Sequence, residues 1–221
     1  MAGLGRAVVM LALDLSAQVR NILCLGAHAD DIEIGCGGTL LKWIAARPDL
    51  NIRWVVFTAE GKRAREARTS AKALLRPTKS KVLVEKFRTS FLPFEGRKVK
   101  EFFETLHRSY EPDLIFTHYR EDRHQDHRLL SDLTWNTYRD HLILEYEIPK
   151  YDGDMGAPNF LVPLDEKLAR KKAAHLCHYF QTQSNKHWFA EETFLGLMRL
   201  RGMECAASYA EAFYSRKLVC A

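Results

Sequence analysis

The chain has 221 residues, 47% of them hydrophobic and 28% charged, with a formal net charge of +5. That length suits one domain spanning 1–221, and that hydrophobic content excludes a disordered chain. No apolar run approaches the roughly 18 residues needed to cross a bilayer. The apolar stretch 7–13 is short, meets Asp14 at once and lacks a small-residue cleavage site, so residues 1–20 read as an N-terminal extension, not a signal peptide. Lysines and arginines are interspersed with acids, which argues against a nucleic-acid stripe and leaves open a patch assembled by the fold. The five cysteines (Cys24, Cys36, Cys177, Cys205 and Cys220) form no CxxC pair, and they indicate reduced thiols in a cytoplasmic protein.

In chain order, residues 21–26 (NILCLG) form a buried strand that ends in glycine, and 39–46 have helical spacing. Residues 51–58 (NIRWVVFT) are β-branched and aromatic, hence a second strand, followed by a basic amphipathic helix over 62–75 that Pro77 stops. A third strand is expected over 81–87, a helix over 98–110 ended by Pro112, and a fourth buried strand over 113–118 (DLIFTH). Then come a helix at 128–139, a strand at 141–148, a Gly/Pro/Asp loop at 152–159, helices at 165–179 and 191–201, and a closing strand at 211–220. Strands alternating with helices predict an α/β fold with a mainly parallel sheet and no internal repeat.

Two clusters follow strand ends: Ala27-His28-Ala29-Asp30-Asp31-Ile32-Glu33 with Gly35-Cys36-Gly37-Gly38, and Asp122-Arg123-His124-Gln125-Asp126-His127. In an open parallel sheet, ligands bind beyond the carboxyl ends of strands, so two such loops can converge on one site. A catalytic zinc takes three protein ligands and keeps a position open. His28 and Asp31 are three residues apart and can aim at one point, with His127 as the third ligand. Asp30, between them, is placed to take a proton from an activated water. His124 can face the same cavity without coordinating, and Asp126 can orient a histidine.

Blander readings compete. Asp30 or Asp31 can cap a helix, and His124 and His127 can sit on a solvated helix start. A phosphate-binding turn is a further reading of Gly35-x-Gly37-Gly38, with Glu60 as the ribose acid; Leu40 replaces the third glycine of GxGxxG, and three carboxylates nearby repel a pyrophosphate. Ser90 and Ser131 lack a GxSxG context, so a covalent mechanism is not indicated. Trp43, Trp54 and Trp135 suit core faces, whereas Trp188 either stacks on a ligand ring or covers a groove. His175 and His178 read as ordinary helix residues, and residues 209–213 as a packed strand.

These motifs resemble those of the PIG-L/LmbE-like zinc-dependent N-acetylglucosamine deacetylases. The family's AHPDD and glycine pair correspond to Ala27–Asp31 and Gly37-Gly38, and its HPDH motif to His124–His127 after Asp122. Glu111-Pro112-Asp113-Leu114-Ile115-Phe116, Arg63-x-x-Glu66-Ala67 and Tyr209-Ala210-Glu211-Ala212-Phe213 also look like family segments. The likeness runs from about Asn21 onward and is thinnest around 140–165. It implies a Rossmann-like three-layer sandwich and hydrolysis of an acetamide on an amino sugar or its conjugate. It also implies zinc (with iron(II) or another divalent ion as alternatives) on His28, Asp31 and His127, Asp30 as base, and His124 assisting the oxyanion or leaving group. Arg63 and Glu95 are the implied substrate contacts. Ala29 and Gln125 replace the family's prolines, which loosens the loops and removes no ligand. Rival readings are an amidase on another N-acyl conjugate, such as an antibiotic or thiol precursor, and a non-catalytic sugar-binding module. The small-molecule substrate is the expected partner, with no nucleic acid and no membrane span; a homo-oligomer is left open. Specificity is expected from loops 60–65, 91–97 and 152–159.

Overall fold

The computed structural model describes residues 13–15 and 18–219, so most of the 7–13 stretch and Cys220 lie outside the described residues. The elements are β1 (Asn21–Gly26), α1 (Asp31–Ala46), β2 (Asn51–Val56), α2 (Gly61–Leu75), β3 (Lys79–Val84), α3 (Gly96–Ser109), β4 (Leu114–His118), α4 (Gln125–Thr137), β5 (Leu142–Tyr146), β6 (Phe160–Leu164), α5 (Glu166–Tyr179), α6 (Glu191–Glu204) and β7 (Tyr209–Ser215). The strand order is β3-β2-β1-β4-β5-β7-β6. The first five strands are parallel and β7 is antiparallel to both its neighbours. The fold is α/β, as the alternating pattern predicts. Period-two alternation builds it: Ile22 and Cys24 of β1 join Ile52, Trp54 and Val56 of β2 in the core on one sheet face. Leu23, Leu25 and Val55 face the opposite core with Phe103 of α3 and Leu130 of α4. Two buried faces make three layers.

Strand order reverses between β1 and β4, the place where such sheets bind ligands. The β1–β4 ladder stops at Cys24–Phe116, although both strands run on. Beyond it, side chains replace backbone partners: Ala27 N donates to His118 Nε2 (2.9 Å) and Tyr146 Oη to Leu25 O (2.6 Å). The splayed strand ends make the crevice that the two motifs enter.

The helix expected at 39–46 begins at Asp31, so the glycines lie inside α1 and form no phosphate-binding turn. The reason is non-local. A Cβ on Gly35 would stand 2.2 Å from Tyr146 Cδ2, and one on Gly38 would stand 2.6 Å from Leu164 Cδ1, so only glycine lets α1 lie this close to β5 and β6. Side chains from distant elements also reach the backbone of α1 here. Glu211 Oε1 and Oε2 accept from Gly38 N (2.7 Å) and Thr39 N (2.6 Å), while Lys172 Nζ donates to Ile34 O, the carbonyl four residues before Gly38. Lys172 Nζ closes the network on Glu211 Oε1 at 2.6 Å, with both side chains buried. Lys172→Met is expected to cost about 3–5 kcal/mol in urea unfolding, because it leaves the Glu211 carboxylate buried without its cation. Lys172→Met with Glu211→Leu should recover part of that loss, and an unchanged midpoint in the single variant would refute the role.

Smaller differences follow the same logic. The helix expected at 128–139 starts at Gln125, the strand expected at 211–220 is Tyr209–Ser215, and β6 was not anticipated because Pro163 weakens its strand pattern. Trp54 is fully buried, Trp43 and Trp135 pack against the two cores, and residues 209–213 form β7. His175 is more than a helix residue: its Nε2 lies 2.8 Å from Ser70 Oγ, which donates to buried Glu33 Oε1 at 2.5 Å.

Candidate active site

The loop after β1 delivers His28 and Asp30 and the start of α1 Asp31, while the loop after β4 delivers Asp122 and His124 and the first turn of α4 His127, with His118 closing β4 itself. They meet at a cavity of about 760 Å³ lined by His28, Asp30, Asp31, His124 and His127, with Arg63, Lys150 and Trp188 on its walls. Three donor atoms form a triangle: His28 Nδ1 to Asp31 Oδ2 is 3.2 Å, His28 Nδ1 to His127 Nε2 is 3.1 Å, and His127 Nε2 to Asp31 Oδ2 is 3.5 Å. Ligand atoms held about 2.0–2.1 Å from a tetrahedral zinc lie roughly 3.3–3.4 Å apart, so these donors fit one face of such a tetrahedron. His124 and His118 stand within reach as alternatives, in the groups His28/His124/His127 and Asp31/His118/His127.

The surrounding shell holds these side chains in place. Asp122 Oδ2 binds His127 Nδ1 (2.9 Å) and Oδ1 accepts from His124 N (2.8 Å). Asp126, expected to orient a histidine, lies 3.3 Å from His28 Nε2 and also accepts from Ser90 N (2.6 Å) and Leu92 N (3.1 Å). Ser90, held there, adopts a left-handed conformation (φ 64°) that costs a non-glycine residue about 1–3 kcal/mol and places it on the cavity wall. His118 stacks on His127 with centroids 3.9 Å apart, backing the ring from behind.

Asp30 is 4% exposed, and its Oδ1 accepts from Arg63 Nη2 at 2.6 Å. Burial raises its proton affinity, opposed chiefly by Arg63. Burial would also raise Asp31, but His127, His28 and His118 outweigh it and hold its carboxyl well below the usual range. His28 is penalised by burial, yet the Asp31 and Asp126 carboxylates raise its pKa to about 10. Burial and neighbouring His118 push His127 down to about 3, and burial and His28 lower His124. His124 Nδ1 accepts from Asp126 N (3.2 Å), so its neutral ring carries the proton on Nε2. That makes the ring a hydrogen-bond donor at Nε2.

Arg63 reaches the cavity, but its guanidinium is engaged with Asp30, Thr182 (3.3 Å) and Glu66 (3.7 Å). Glu95 is outside the cavity lining; it accepts from Arg88 N (3.0 Å) and meets Lys98 (3.4 Å). Sequence reading passed over His118 and assigned Asp122 no task. A histidine ending an otherwise apolar strand was the available signal for the first.

A family model described as GlcNAc-PI de-N-acetylase matches residues 23–138, more than half of the chain. The chain belongs to the PIG-L family. Solved structures carry the PIG-L fold across almost all of it. N,N'-diacetylchitobiose deacetylase from Pyrococcus horikoshii aligns with TM-score 0.70 and 20% identity over 90% of this chain and 84% of that one. GalB, the 4-carboxy-2-hydroxymuconate hydratase from Pseudomonas putida KT2440, aligns with TM-score 0.71 and 15% identity over 91% and 98%. The A40926 pseudoaglycone deacetylase Dbv21 aligns with TM-score 0.65 and 17% identity over 90% and 98%. A hydratase among them shows that this fold hosts more than one reaction, so the chemistry must be argued from the site. Among the described residues no helix is long and apolar enough to cross a membrane.

Proposed function

We propose that this PIG-L chain is a metal-dependent hydrolase that removes the acetyl group from an N-acetylated amino sugar or its conjugate. The observation that carries the reading is the His28–Asp31–His127 donor triangle, with an uncoordinated carboxylate, Asp30, next to it in sequence and on the same cavity. A zinc ion, or iron(II) in its place, would be held by those three side chains and would polarise the acetamide carbonyl and lower the pKa of water. Asp30 takes the proton from the water that attacks the carbonyl carbon, a task that its burial favours and that Arg63 holds in line. His124 donates Nε2–H to the oxyanion, and one such donor is worth about 2.7–4 kcal/mol in other enzymes that stabilise an oxyanion. As the C–N bond breaks, Asp30 returns the proton to the nitrogen, giving the free amine and acetate. The four described cysteines are free thiols, which suits the cytoplasm.

The test is primary-amine release from a panel of N-acetylglucosamine derivatives and other N-acyl conjugates, before and after chelation. Release should vanish with the chelator and return with added zinc. Release that survives metal removal would overturn the mechanism. No release together with no zinc binding in a titration would overturn the site. If only a non-sugar N-acyl member reacts, the amidase alternative replaces the deacetylase reading.

A further inference from the structure

The loop between β5 and β6, which contains the 152–159 stretch expected to tune specificity, is fixed to the body of the protein. Arg201 of α6 grips Glu147 with Nε and Nη2 (2.7 and 2.8 Å) and reaches Gly156 O (2.9 Å), and Asn159 pairs twice with Ser215 of β7 (2.8 and 3.0 Å). Between these anchors stands Lys150, its side chain only 10% exposed. Its ammonium binds Asp154, which also accepts from Arg123 N (2.7 Å). It also lies 2.9 Å from Asp122 Oδ2, the same oxygen that sits 2.9 Å from His127 Nδ1.

We propose that Lys150 is a positioning residue: it couples the anchored β5–β6 loop to Asp122 and thereby fixes the ring of His127. This rests on the role given to His127 in the hydrolase reading. Asp122 is 2% exposed, and a buried carboxylate needs its charge met. The full cation that meets it, among the described residues, is Lys150. With that charge in place, Asp122 can hold the Nδ1–H of His127 and leave Nε2 free for the donor triangle. Without it, the carboxylate is free to turn, and the imidazole loses its fixed orientation. Lys150 also lines the cavity, so the rival role is direct contact with substrate.

Lys150→Met and Lys150→Arg in the full chain separate the two. In metal-free protein, the ¹⁵N shifts of the His127 imidazole should show a dominant Nδ1–H tautomer in wild type and a mixture in Lys150→Met. Zinc affinity, measured by calorimetry, should fall about 10–100-fold in Lys150→Met and recover in part in Lys150→Arg. On the best substrate kcat should fall while KM stays within about twofold. A raised KM with unchanged kcat, or an unchanged imidazole spectrum and zinc affinity, overturns the proposal. If Lys150→Met does not fold, Asp154→Asn should move the same readouts in the same direction by less, and no movement there also overturns it. The tautomer measurement reads Lys150 whether or not any acetamide is cleaved, so its failure is distinct from failure of the deacetylase reading.

Discussion

Asp30→Asn is expected to lower kcat by about 10²–10⁴-fold while leaving bound metal unchanged, because it removes a general base and no member of the donor triangle. The geometry makes this a clean substitution. The asparagine oxygen can still accept from Arg63 Nη2, which sits 2.6 Å from Asp30 Oδ1 in the wild type, so the loop keeps its shape. What disappears is the ability to take a proton. Metal content by elemental analysis and kcat on the best panel substrate check the two halves. A variant that keeps turnover within tenfold of wild type would falsify the assignment, and one that loses its metal would place Asp30 among the ligands instead. The contrast with Asp31→Ala sharpens the point. Asp31 Oδ2 forms two edges of the triangle and also accepts from His28 N at 2.6 Å, so its loss should abolish metal binding first and activity in consequence.

Gly35→Ala is expected to destabilise the protein by roughly 1–3 kcal/mol or more despite alanine's better helix propensity. The added Cβ would lie 2.2, 2.3 and 2.9 Å from three atoms of Tyr146, none of them the far end of a flexible chain. Tyr146 cannot swing away cheaply, since its hydroxyl donates to Leu25 O at 2.6 Å and lies 3.3 Å from His118 Nε2. For a chain of this size the loss corresponds to a fall in Tm of about 2–4 °C per kcal/mol. The same displacement would reach the site, because His118 backs His127. Gly196→Ala provides the control: it lies mid-helix in α6 with nothing within 4 Å of its added Cβ, so it should be neutral or stabilising by up to about 1 kcal/mol. Equal effects of the two substitutions in thermal unfolding would refute the packing argument.

The start of α1 shows where reading a sequence stops. Glycines carry a local helix penalty of about 1 kcal/mol each, and Gly35, Gly37 and Gly38 therefore read as a turn. The closeness of Tyr146 and Leu164, far along the chain, reverses that local preference. No periodicity in residues 31–46 contains those neighbours. The same holds for Lys150, a lone lysine in a turn-rich stretch whose meaning is a carboxylate 28 positions earlier in the chain, and for the Glu33–Ser70–His175 chain across α1, α2 and α5.

By itself the sequence determined the α/β class, the strand at 21–26, the second strand to within two residues of its end (51–58 expected, Asn51–Val56 found), and the two acidic–histidine clusters that follow strands β1 and β4. Those features are written in short-range pattern: period-two burial, strand-end position and three-residue spacing. The tertiary structure alone decided that the ladder between those strands ends early, that His118 and Tyr146 fill the gap, and that Asp122 carries His127. It also turned Arg63 toward Asp30 and left Glu95 outside the cavity. Each of these depends on which side chain meets a buried charge or an open backbone group, and such partners are chosen by packing in three dimensions.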